Sequence, residues 1–338
     1  MQPKHAKMTD GWRQWIATNL MSGAKAAELV PVLQNQGFSR SLAEQEVMTA
    51  AQHPYVLAGT IQAEQRKKRD WVLNTQSKLQ EMSPNYGQVP AVSKISTEDF
   101  FEQFYFQNRP VVIKNMLDHW PAITQWLPDY FKKQCGEQIV EVQFGRNADP
   151  LYEINQTQYK KQMLFADYVD LICTDQETND YYMTANNSSI NGSALEALWA
   201  DVPLIPEYMK IQDPYPGFFW LGPKGTITPL HHDLTNNFMA QVVGRKLVYL
   251  VPPARLPDIY NYRHCYSEVD PVNVDDAKFP AFRRIKPIPV VLEPGDLFFL
   301  PVGYWHYVLS LDISITMTYT NFLADNDFSS FYESYGYL

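Results

Sequence analysis

Two histidines and an aspartate in this chain could share one metal ion. His231 and Asp233 stand two positions apart, and His306 follows 73 residues after Asp233. On an extended strand residues i and i+2 point to the same side, so His231 and Asp233 converge while His232 faces away. Two imidazoles and one carboxylate on one face of an ion leave other coordination positions open, a donor set suited to non-haem Fe(II) oxygen chemistry. Each histidine taken singly has an ordinary alternative as a hydrogen-bonded core residue. The joint reading rests on the setting: Gly225-Thr-Ile-Thr-Pro-Leu-His-His-Asp233 upstream and Gly295-Asp-Leu-Phe-Phe-Leu-Pro-Val-Gly-Tyr-Trp-His306 downstream.

Short strands must position these groups. Beyond residue 215, strand-like runs alternate with proline and glycine turns: Phe218 to Leu221, Phe238 to Val243, Lys246 to Val251, Val290 to Leu292, Leu297 to Leu300 and Ile313 to Phe322. Many short strands so punctuated indicate a sandwich or barrel, and a mainly β double-stranded β-helix, or jelly roll, fits best. Upstream, Thr97 to Tyr105 has a capping-type start and aromatics at helical spacing, predicting a helix that leads into a strand at Val111 to Lys114.

Residues 9 to about 82 differ in texture and read as helical. Trp12, Trp15, Ile16 and Leu20 form one apolar stripe, Gly37 punctuates the region after Leu33, and Ser41-Leu-Ala-Glu44 resembles a capping box opening another helix. Ser83-Pro-Asn-Tyr-Gly-Gln-Val-Pro90 concentrates turn formers and marks a linker. The expected division is a helical N-terminal domain over 1–85 and a jelly-roll domain over 90–338. The charge run Glu64-Gln-Arg-Lys-Lys-Arg-Asp70 reads as a solvated helix face, with contact to an acidic partner as the alternative.

Composition bounds the partners. With 338 residues, 45% of them hydrophobic, the chain can bury one large core or a core plus a smaller domain. A net charge of −9 opposes general nucleic-acid binding, which calls for a basic surface. The three cysteines, Cys135, Cys173 and Cys265, form no C-x-x-C pair and suggest thiols in a reducing compartment. No apolar run reaches membrane-spanning length, so a cytoplasmic protein without a membrane partner is expected.

The paired motifs resemble those of the Jumonji C-type and cupin-like 2-oxoglutarate oxygenases, and most closely the hydroxylase branch containing the asparaginyl hydroxylase that inhibits hypoxia-inducible factor. The likeness covers roughly residues 95 to 323 and opens at Arg109-Pro-Val-Val-Ile-Lys-Asn115 and Trp120-Pro-Ala122. It implies Fe(II) held by His231, Asp233 and His306, with 2-oxoglutarate and O2 as co-substrates. Lys246 falls where that branch places the cation for the distal carboxylate. Thr228, Asn237 and Asn321 fall at its other co-substrate contacts, and Tyr182, beside Tyr181, at its co-substrate tyrosine. The implied reaction hydroxylates a C–H group and releases succinate and CO2.

The residues themselves bear on these positions. Val248 and Leu250 share the face of Lys246, which directs the ammonium inward, where a buried charge needs a counter-charge; the alternative is a snorkelling lysine. Asn321 ends a face otherwise made of Ile313, Ile315, Met317 and Tyr319, opposite a face of Ser314, Thr316, Thr318 and Thr320. Its amide could meet a ligand in the barrel mouth or bond a neighbouring strand. Thr228, three before His231, would face away on a regular strand, a regularity that Pro229 can break. Trp220 reads as a core aromatic, and Tyr304 and Trp305 as pocket walls.

The resemblance to the hydroxylase branch favours a protein substrate. A small-molecule or RNA hydroxylase, and a metal-dependent binding module without turnover, are the alternatives. Only sixteen residues follow Phe322, a tail ending Tyr335-Gly-Tyr-Leu338, so dimerisation by a long C-terminal helical element is not expected and the oligomeric state stays open.

Overall fold

The computed structural model describes residues 7–174, 176–185, 188–211 and 217–331; the tail at 335–338 lies outside them. Contacts divide the chain into two compact units, residues 1–78 and 79–338. Among the described residues no helix is long and apolar enough to cross a membrane.

In the first unit the helices are α1 (Asp10–Met21), α2 (Ala26–Asn35), α3 (Arg40–Gln52) and α4 (Pro54–Glu81), the last continuing into the second unit. Thr9 caps α1 by accepting from the Trp12 amide, and Ile16, fully buried, packs with Leu29, Leu33, Phe38 and Val47. The cap of α3 is Ser39, which accepts from the Leu42 amide, so the start expected at Ser41 lies two residues late. Both serines suit an N-cap, but the extended backbone that a cap requires occurs at Ser39. The charge run at 64–70 lies on α4 with Arg66, Lys67, Lys68 and Arg69 exposed.

Among the described residues the second unit carries fifteen strands: β1 (Ala91–Val92), β2 (Val111–Ile113), β3 (Ile139–Phe144), β4 (Lys160–Leu164), β5 (Tyr181–Tyr182), β6 (Phe218–Gly222), β7 (Ile227–His232), β8 (Asn237–Val243), β9 (Lys246–Val251), β10 (Asn261–Arg263), β11 (Tyr266–Ser267), β12 (Ile288–Leu292), β13 (Leu297–Leu300), β14 (Trp305–Ser310) and β15 (Ser314–Tyr319). Two six-stranded sheets, ordered β1-β2-β13-β8-β15-β6 and β10-β11-β7-β14-β9-β12, face each other. Apart from the parallel β1–β2 pair their ladders are antiparallel, and the whole is the expected jelly roll. A small sheet, β4-β3-β5, joins it.

Alternation gives each strand two apolar duties. Val248 and Leu250 of β9, Phe298 and Leu300 of β13 and Val308 of β14 pack between the sheets. On the outer face of the second sheet, Leu230, Trp305 and Tyr307 meet Ile259, Phe279 and Phe282. The outer face of the first sheet packs Phe238, Phe299, Met317 and Tyr319 against Phe100, Phe104 and Phe165 of the covering helices. The helix expected at Thr97 opens on Ser96, which accepts from the Asp99 amide, and widens to a π-helix over Phe101–Tyr105. Both faces of β15 are therefore buried, as its unbroken burial confirms.

Candidate metal centre

His231 and His306 are directly paired across β7 and β14, so their side chains leave the ladder on the same side, toward the space between the sheets. Asp233, two residues beyond His231, joins them. The nearest carboxylate oxygens lie 3.7 Å from His231 Nε2 and 3.9 Å from His306 Nε2. One donor from each residue falls within 4.8 Å of the others. Donors about 2.1 Å from a common ion can be no more than about 4.2 Å apart, so these two separations fit without backbone movement.

The imidazoles are held in the orientation that such an ion needs. His231 Nδ1 lies 2.8 Å from the Pro229 carbonyl and His306 Nδ1 3.0 Å from the Tyr304 carbonyl. A carbonyl can only accept, so each Nδ1 carries the proton and each Nε2 presents a lone pair inward. Burial, together with His231, pushes the His306 imidazole down to about 3, which keeps it neutral. Burial disfavours the ionised Asp233 carboxylate, and the 3.3 Å hydrogen bond that Asn237 Nδ2 donates to it favours it.

Between β7 and β14 the register shifts: His306 faces His231, but Val308 faces Thr228. Two steps along β14 thus match three along β7, a bulge of one extra residue at Pro229–Leu230. The bulge restores Thr228 to the pocket side although it stands three residues from His231, and it turns the Pro229 carbonyl onto the ligand ring. Leu230, with no exposure, anchors it on the outer face beside Trp305 and Tyr307. Truncating such a leucine to alanine typically costs about 2–5 kcal/mol.

The centre opens on a cavity of about 270 Å³ lined by Tyr182, Thr228, Asn237 and Lys246, with Glu153, Trp220 and Tyr266 among its further walls. Lys246 is 2% exposed and its ammonium donates to Tyr182 Oη at 2.9 Å. No carboxylate among the described residues pairs with it, and burial alone lowers its pKa to about 7. Thr228 lines the cavity together with Tyr182. Asn237 Oδ1 is buried without a partner.

Four residues lie elsewhere than the sequence implied. Asn321 is outside this cavity: its amide donates to the Lys210 carbonyl, and it lines an adjoining groove that shares only Thr235 and Thr320 with the cavity. The threonine face of β15, Thr316, Thr318 and Thr320, looks inward instead, because the apolar face is spent on the covering helices. Trp220 lines the cavity, its indole donating to Thr318 Oγ1 at 2.9 Å. Trp305 points to the outer cluster, edge-on to His232, and Tyr304 packs between the sheets. Glu153 and its partner Arg146 were not foreseen; they lie in loop sequence with no periodicity that could reveal them.

Fold and site together define a jelly-roll protein whose paired strands present a two-histidine, one-carboxylate face that can hold a metal ion. The chain belongs to the cupin-like family: the family model described as Cupin-like domain matches residues 97–325. Similar proteins include lysine-specific demethylase 8 of Danio rerio, 32% identical over 242 residues, covering 69% of this chain and 58% of that protein. JmjC domain-containing protein D of Dictyostelium discoideum is 30% identical over 249 residues, covering 66% and 53%. The tRNA wybutosine-synthesizing protein 5 of Gallus gallus is 27% identical over 243 residues, covering 68% and 76%. The chain spans about half the length of several curated relatives it matches.

Proposed function

We propose that the protein is an Fe(II)- and 2-oxoglutarate-dependent oxygenase that hydroxylates a side chain of a protein substrate. The observation that carries this reading is that the His231–Asp233–His306 face and the buried, uncompensated ammonium of Lys246 open on one cavity. A metal face alone would suit many ligands; a cation sealed into the same wall asks for an anionic one.

With iron, 2-oxoglutarate and O2 bound, the site would supply oxidative decarboxylation to succinate and CO2 coupled to oxygen insertion into a C–H bond. The chain's own part is binding and orientation. His231, Asp233 and His306 would hold the ion, with Asn237 steadying the carboxylate. Lys246 would pair with the distal carboxylate of 2-oxoglutarate, which Tyr182 and Thr228 approach from the same wall. Burial keeps water from the Lys246 ammonium, which strengthens its attraction for an anion. Phe218, Trp220 and Thr320, which also line the cavity, would meet the substrate side chain.

The names of the demethylase relatives favour a second reading, removal of a methyl group from lysine by hydroxylation of that methyl. Incubating iron-loaded protein with 2-oxoglutarate, O2 and cell-extract proteins tests both. Succinate formation with a mass gain of one oxygen on a protein supports hydroxylation, formaldehyde release supports demethylation, and no succinate formation rejects the oxygenase reading.

A further inference from the structure

We infer that Arg146 is a positioning residue for the co-substrate wall, an assignment that rests on the oxygenase reading above. Arg146 follows Gly145, whose φ of +88° sets the turn, and both backbone amides donate to the Asp180 carbonyl. The turn sends the guanidinium inward, where it has no exposure.

Its contacts converge on Ile227, which immediately precedes the pocket residue Thr228, and on Tyr182. Nη2 donates to the Ile227 carbonyl at 2.7 Å and to Glu153 Oε1 at 2.7 Å. Nη1 donates to Asn179 Oδ1 at 3.0 Å, and that same oxygen accepts from the Ile227 amide at 2.8 Å. Tyr152 Oη is a second donor to the Ile227 carbonyl, at 3.2 Å. Both polar groups of the Ile227 backbone are thus held, immediately before Thr228 and the bulge. The guanidinium also lies 4.2 Å from the Tyr152 ring centroid and 5.1 Å from that of Tyr182. Tyr182 is the hydroxyl that accepts from Lys246.

A planar fork is the side chain that can do this. Three separate directions are bonded while its face rests on aromatic rings, a geometry that the compact ammonium of lysine cannot reproduce. Glu153 supplies the counter-charge that lets the cation remain buried. None of the guanidinium's hydrogen bonds reaches any of the three metal donors; Arg146 acts through Tyr182 and through Ile227, which precedes Thr228, so two groups of the anion wall depend on it.

The test measures 2-oxoglutarate affinity by calorimetry on full-length, manganese(II)-loaded protein under argon. Arg146→Gln alone would strand the Glu153 charge, so the variant is Arg146→Gln with Glu153→Gln. Its melting temperature and manganese affinity serve as controls. The expected result is manganese affinity within about threefold of the unsubstituted protein and 2-oxoglutarate affinity lower by about tenfold or more. Tyr182→Phe should then cost little further in this background, about twofold or less, although it weakens binding several-fold on its own, because groups acting as one unit are not additive. Arg146→Lys should fail to restore affinity. A merely structural role would lower the melting temperature and leave the Tyr182 effect additive. Affinity within twofold of the unsubstituted protein, full rescue by lysine, or additivity with Tyr182→Phe overturns the assignment. Should the double variant not fold, Asn179→Ala, at a half-buried position, decides by the same comparison with a smaller expected loss, about threefold. Absence of 2-oxoglutarate binding by the unsubstituted protein overturns the oxygenase reading itself and the assignment with it.

Discussion

His231 and His306 face each other as a registered pair on neighbouring strands, their ring centroids 4.0 Å apart and each Nδ1 tied to a carbonyl two residues before it. The repeated i, i−2 tie matters because it fixes tautomer and ring rotation with backbone atoms, which side-chain substitution nearby leaves in place.

Replacing any one of the three donors should abolish turnover. His231→Ala, Asp233→Ala and His306→Ala are each expected to lower succinate formation by at least about a hundredfold, since two donors no longer define a face. Asp233→Ala deserves the strictest assay, at saturating iron. Unsubstituted-level activity there would refute the donor assignment.

Lys246→Ala should weaken 2-oxoglutarate binding by about 3–5 kcal/mol, the cost of leaving a buried carboxylate unpaired. Metal affinity should be unaffected. Titration of the co-substrate into metal-loaded protein measures both, and an unchanged dissociation constant would move the anion contact to another cation.

The same lysine predicts a pH dependence. Its pKa in the fold is about 7, against an ordinary value of 10.5, so between those limits the unfolded chain binds the extra proton. Stability of the ligand-free protein from this group therefore rises with pH over that window, and is lost as pH falls through about 7. Co-substrate binding runs the other way. A dianion favours the charged lysine, so affinity should fall above neutrality, approaching about tenfold per pH unit once the amine is neutral. Calorimetry in buffers of different ionisation enthalpy should register proton uptake at pH 8. Lys246→Arg, if it still binds, should show no such slope.

The first unit is expected to contribute to substrate capture. A shortened chain beginning at Val89 should stay folded and oxidise 2-oxoglutarate slowly without substrate, yet lose stimulation by its target. Neutralising Arg66, Lys67, Lys68 and Arg69 should give a milder, salt-sensitive form of that loss. Equal stimulation of shortened and full-length proteins by a cell extract would assign these helices a covering role instead.

What could be read in the sequence follows physical lines. His231, Asp233 and His306 were legible because period-two geometry and two flanking motifs agree, and Lys246 because a lysine among valine and leucine on one strand face has few resting places. Thr228 resisted parity because the bulge adds a residue that no propensity announces, although Pro229 hinted at it. Asn321 was misplaced for a different reason: alternation separates the two faces of β15 but does not say which looks inward. Apolar-inward is the usual rule, yet here the covering helices take the apolar face and the cavity takes the threonines. Arg146 was invisible, since its partners at Asn179 and Ile227 are distant in sequence, and Glu153, which pairs with Arg146, was invisible with it.

The extra residue in β7 also acts as a mechanical detent. A uniform ladder can slide by two residues and re-form every bond with each side chain still on its proper face, a displacement of about 6.8 Å. A ladder interrupted by a bulge has no such equivalent position, because the unpaired residue would meet regular pairing wherever it came to rest. The strand that carries His231 and leads to Asp233 is thereby indexed lengthwise against the strand that carries His306.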